Sequence, residues 1–319
     1  MQESIEQKIK KLPGIRHLIA LTDRIKLPWL HGLSLYELVD LYVTGIAENA
    51  LSNRAASIAF SFFMALFPFA LFILNLIPYI PIEGFQDDFM GFVQQSVPPT
   101  TFDAISKIVN DILHNSHSGL ISTGFFMAVL LMTNGVNAIL TGFETSHHVS
   151  EKRKFVRQYL VALGISILLS MILIVTVAAI VVFEVFIQKI KIQDVLSEDI
   201  PLIQMGRYAF VILMILMATS ILFKFGIKRD KRRSFISIGS VFTTLLIIIS
   251  SYFFGIWVVR FSKYNELYGS IGTLLVVMFY IWINSAILLL GFELNGTINT
   301  LKRREEQRKL KEEQQAQSL

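Results

Sequence analysis

The side chains able to do chemistry in this 319-residue chain sit in an unusual setting. Glu293 stands near the end of a long apolar run, 268–294, and Arg54 opens another, 54–77. An ionised group at membrane depth is costly, and it turns toward a partner, a bundle interior or a water-filled space. The two residues lie at comparable depth, so they are expected to pair. Such a pair serves either as a clamp between the first and last helices or as a charged lining on a path for a solute or proton.

A second constellation is Asn134, Asn137, Thr141 and Glu144, which recur at steps of three, four and three and are expected to share a helical face. That face is either glue between helices or the wall of a polar cavity. Ser61 and Asn75 of the first run and Asn284 of the last are candidates to line the same cavity. Pro68 lies inside the first run, where it kinks a helix and frees a carbonyl.

Other chemistries find little support. The chain has no cysteine, which removes disulfides, thiolate metal sites and cysteine nucleophiles. Asp111, His114 and His117 have D-x-x-H-x-x-H spacing, but spacing without second-shell support reads as the solvated face of an amphipathic helix. His147 and His148 are adjacent and diverge on a helix. The six histidines include no H-x-H-x-D-H cluster of the kind a metal-dependent ribonuclease uses to make a metal hydroxide. No catalytic residue, metal or cofactor is therefore expected, and the protein is read as a non-enzyme.

The elements that must position these residues are read from hydropathy. Hydrophobic residues make up 53% of the chain, and charged residues 17%, against roughly 25% in soluble chains. The apolar residues fall into blocks long enough to cross a bilayer, each needing about 20 residues. The expected fold is all-α: a polytopic membrane protein with six transmembrane helices over about 54–77, 119–143, 159–187, 205–225, 235–259 and 268–294. Amphipathic interfacial helices flank them, one after the capping pattern at Ser34–Glu37 and one from Phe102 to Leu113. The division is a cytoplasmic N-terminal segment 1–53, a membrane domain 54–298 and a charged tail 299–319, the tail being either a solvated helical extension or disordered.

Charge orients the bundle. The N-terminal segment through Arg54, the second-to-third and fourth-to-fifth connections and the tail hold 23 of the 29 Lys and Arg residues. The positive-inside rule makes that side cytoplasmic, with both termini inside. It also accounts for the net charge of +5 without nucleic acid.

Several stretches resemble one family. AASIAFSFFMALFPF (55–69), RRSFISIGSVF (232–242), the Asn-containing second run and YNELYGSIGTLLVVMFYIWINSAILLLGFELN (264–295) are similar to the signature segments of the YihY/BrkB family of bacterial inner-membrane proteins. The resemblance covers about residues 34–298, with Phe60 and Phe62 standing where the family often has Tyr and Phe292 where it often has Ala. It implies a six-helix protein of the bacterial cytoplasmic membrane. Some members carry a virulence-associated, serum-resistance name, and an older label is a tRNA-processing ribonuclease. The reading favoured here is a transporter-like protein that binds a small solute or lipid-like molecule between the first, second and sixth spans. The alternative is a non-transporting envelope or scaffold protein, and a ribonuclease is a distant third. Expected partners are membrane lipids and that ligand; self-association is left open.

Overall fold

The computed structural model describes residues 42, 50–76, scattered positions between 86 and 110, 118–146, 149, 151–192, 202–228, 234–261 and 265–317. The two expected interfacial helices, apart from a few positions, the Asp111–His114–His117 spacing and the His147–His148 pair lie outside the described residues.

Six long helices carry the chain: α1 (Leu51–Leu76), α2 (Ser118–Glu144), α3 (Phe155–Ile192), α4 (Leu202–Phe225), α5 (Ile238–Phe261) and α6 (Asn265–Gln317). Five of them, α2 to α6, are long and apolar enough to cross a membrane, and α1 adds a sixth helix of 26 residues. Helix is the form in which a lipid-embedded chain satisfies its own backbone. The hydroxyls follow the same economy. Ser61, Thr133, Thr141, Ser166, Thr244 and Ser285 each donate to the carbonyl four residues earlier in their own helix. The hydroxyl donors are thereby satisfied within their own helices at membrane depth. Of the two forms open to the tail, the helical one is found: α6 runs on unbroken to Gln317.

Each helix packs against the next in sequence, and α6 returns to α1, so the six form a closed ring. Its core lies toward the end that carries the basic connections, called the basic end here. Ile58, Leu140, Phe143, Leu222, Leu289 and Phe292 are packed together there. Phe143 stacks on Phe292 with centroids 4.1 Å apart, and Phe223 meets both edge-on at 5.7 and 6.0 Å. The rings of α2, α4 and α6 thus meet on the axis of the bundle.

Cover is lost toward the other end. Eighteen residues are five turns of α-helix, so a residue eighteen positions away points in the same direction. Phe143, Phe223 and Phe292 are 0%, 3% and 0% exposed; their counterparts Phe125, Met205 and Leu274 are 46%, 63% and 43% exposed. The three lines of side chains that meet at the basic end are open at the other.

One seam is unusually close. A Cβ on Gly291 would fall 1.7 Å from Thr243 Oγ1, and one on Gly239 would fall 2.3 Å from the Gly291 carbonyl. These glycines let the backbones of α5 and α6 touch, as small residues do between membrane helices.

Candidate functional site

Three polar clasps tie the basic end together. The first joins α1, α2 and α6. Arg54 Nη2 lies 2.9 Å from Glu293 Oε1, with the two side chains 9% and 1% exposed. Arg54 Nη1 donates to the Gly142 carbonyl at 2.8 Å, and Ser146 Oγ donates to Glu293 Oε2 at 2.8 Å. Arg54 Nε is buried without a partner among the described residues. Tyr42 of the N-terminal segment docks beside this clasp, its hydroxyl donating to the Leu290 carbonyl at 3.1 Å. Burial, and then the negative charge of Glu293, push the Tyr42 phenol up to about 12.

The second clasp is Arg153, in the α2–α3 connection. It donates to the carbonyls of Phe225 at 2.9 Å, Gly226 at 2.6 Å and Ile227. These lie at and just past the end of α4, where carbonyls lack intrahelical partners and the helix dipole favours a cation. Glu144 accepts the Arg153 backbone N–H at 3.2 Å and lies 4.0 Å from its guanidinium. Burial lowers the Arg153 pKa, which the Glu144 charge partly offsets. Nearby, exposed Lys228 and Glu151 pair at 2.6 Å, and the bond to Lys228 holds Glu151 below the usual carboxylate range.

The third clasp is Asn295. Its Oδ1 accepts the Gly239 N–H at 2.9 Å, and its Nδ2 donates to Ser237 Oγ at 2.7 Å, so a side chain of α6 caps the start of α5. A cavity of about 190 Å³ opens beside it, lined by Phe223, Ser234, Ser237, Asn295, Asn299 and Lys302.

The structure therefore brings Arg54 and Glu293 together and distributes the other expected site residues. Glu144 is buried with Arg153, while Asn134 and Thr141 are exposed and Asn137 is half-exposed. Ser61 and Pro68 are half-exposed on α1, and Asn75 lies in its last turn, with a side chain outside those described. Asn284 Nδ2 donates to the Tyr280 carbonyl at 2.8 Å, and its Oδ1 is buried without a partner among the described residues. Sequence reasoning passed over Ser146, Arg153 and Asn295. Arg153 was counted only as one charge of a basic connection, although Glu144 nine residues before it offered a partner. Asn295, two residues past Glu293, offered an amide at the same helix exit.

A ring of membrane-length helices locked at one end by buried ion pairs and aromatic rings defines a polytopic integral membrane protein. Residues 42–317 match the model of the Virulence factor BrkB family, and the chain belongs to that family. It is 29% identical over 256 residues to YfkH of Bacillus subtilis, whose name calls it ribonuclease-like; the match covers 79% of this chain and 91% of YfkH. It is 22% identical over 256 residues to a UPF0761 membrane protein of Coxiella burnetii, across 79% of this chain and 89% of that one. A UPF0761 membrane protein of Kangiella koreensis is 23% identical over 248 residues, which are 76% of this chain and 59% of that one. No solved structure matches the chain.

Proposed function

We propose that this is a transporter-like protein of the bacterial cytoplasmic membrane that binds an amphipathic, lipid-like molecule or small solute between its helices. The basic end faces the cytoplasm, with both termini, because that side holds 23 of the 29 Lys and Arg residues. The observation that carries the reading is the change in cover along the interior-facing lines of α2, α4 and α6, from Phe143, Phe223 and Phe292 to the exposed Phe125, Met205 and Leu274. A space between those three helices, shut at the basic end, takes the place of the cavity expected between α1, α2 and α6. Its apolar walls favour a lipid-like occupant over a strongly polar solute.

The absence of cysteine makes the test direct. Single cysteines at 125, 205, 274 and 143 are probed with a membrane-impermeant maleimide added outside intact spheroplasts. The first three are expected to label and Phe143→Cys to stay silent. No labelling at 125, 205 and 274 would mean that they face hydrocarbon and would remove the proposed space.

A scaffold role is the second reading, and the helical extension of α6 to Gln317 favours it. A ribonuclease reading, carried by the name of YfkH for that protein, meets no grouping of three His, Asp or Glu side chains among the described residues.

A further inference from the structure

α2 carries a polar stripe on the side that the ring leaves outside. At about 100° per residue, Asn134 and Thr141 lie about 160–180° from Phe143 and Asn137 lies on the flank of the same side, while Val136, Leu140 and Phe143 are completely buried. Asn134 and Thr141 are exposed and Asn137 half-exposed. The neighbours of α2 flank this stripe without covering it. Phe62 of α1 sits against Gly135, and from α3 Gln158 Nε2 donates to Thr141 Oγ1 at 2.9 Å.

Asn134 is ten residues from the end of α2, about 15 Å along the axis, which is close to the middle of a hydrocarbon core about 30 Å thick. Neither the Asn134 nor the Asn137 carboxamide has a hydrogen-bond partner among the described residues. Lipid tails can supply none, and an unmet amide in hydrocarbon is costly. α2 is also the least apolar of the five helices long and apolar enough to span.

We infer that a second copy of this chain covers this face, α2 against α2, in a two-fold dimer. A two-fold axis along the membrane normal sets every residue opposite its own counterpart at the same depth. A carboxamide is donor and acceptor at once, so Asn134 meets Asn134 of the other copy and Asn137 meets Asn137. The stripe has no charge that would select an oppositely charged partner. Tyr42, ahead of α1, is bonded to Leu290 on α6, away from this stripe.

The test again uses a chain free of cysteine. Full-length protein carrying Asn134→Cys or Met127→Cys is oxidised in native membranes, with Ile174→Cys on α3 and Tyr252→Cys on α5 as exposed controls. Disulfide-linked dimers are expected for the α2 positions and not for the controls. Energy transfer between labelled copies in phospholipid vesicles is expected to show self-association that weakens about tenfold in Asn134→Leu/Asn137→Leu. Thermal melting of that variant, unchanged from the parent, separates lost association from lost folding. A protein monomeric at every protein-to-lipid ratio, equal cross-linking at control positions, or undiminished association in the double variant would each overturn the dimer.

Discussion

Glu293 has both carboxylate oxygens engaged, one by Arg54 and one by Ser146. In that state the cost of burying the charges is met by the pair itself, and removing one partner leaves the other stranded. Glu293→Gln keeps the shape and loses the charge. It is expected to destabilise the protein by roughly 3–5 kcal/mol, as is Arg54→Met. Arg54→Met/Glu293→Met is expected to lose far less than the sum, because an apolar pair needs no desolvation. Thermal melts of the four proteins in one detergent give the coupling; strictly additive losses would show that the pair does not act as a unit. This pair was legible in the sequence because a charge at membrane depth has few places to go, and Arg54 stood at a comparable depth. Glu144 is the buried member of the stripe that Asn134, Asn137 and Thr141 share with it. Steps of three and four keep the four within about 80° of the helix, and Arg153 covers the last member.

The contact between α5 and α6 is decided by what is missing from Gly239 and Gly291. A methyl at 291 would collide with the Thr243 hydroxyl, and the helices would separate. Asn295, one turn further along α6, would then lose its hold on the Gly239 N–H and Ser237. Gly291→Ala is expected to cost about 1–3 kcal/mol of stability. Gly255→Ala, on the same α5 but with open space around its would-be Cβ, is expected to change stability by about 0.5 kcal/mol or less. A melt in which both variants fall equally would point to backbone effects instead of close approach. The six helices themselves were legible, since a run of apolar residues long enough for a bilayer has one common solution. Their neighbours were not. In a soluble helix an apolar stripe marks the packed face, but here lipid and core are both apolar and the stripe disappears. Arg153 was hidden for a related reason. Its partners are backbone carbonyls about seventy residues away, which carry no side-chain signature.

At the scale of the whole molecule, two features point to different work. The ring is fastened at the basic end by all three clasps, and the lines of side chains that meet there are exposed toward the other end, the feature on which the proposed transporter-like reading rests. The last part of α6 leaves this ring entirely. Leu301 is buried, whereas beyond it Arg303, Arg304, Arg308, Lys309 and Lys311 are exposed. A helix extension whose described side chains from Arg303 on are exposed adds little to the bundle, because helical stability in proteins comes mostly from packing. Truncation after Lys302 is therefore expected to leave the melting temperature within about 2 °C of the full chain, since surface changes stay near 0.5 kcal/mol. The maleimide pattern at 125, 205 and 274 is expected to persist as well. The truncation thereby separates the two readings of function. A transporter-like ring would keep its lipid occupancy, measured by mass spectrometry of the protein released from nanodiscs. If truncation leaves occupancy intact but abolishes the protein's effect in cells, the extension is a docking element and the scaffold role carries the function. If neither changes, the work resides in the ring and its far-end opening.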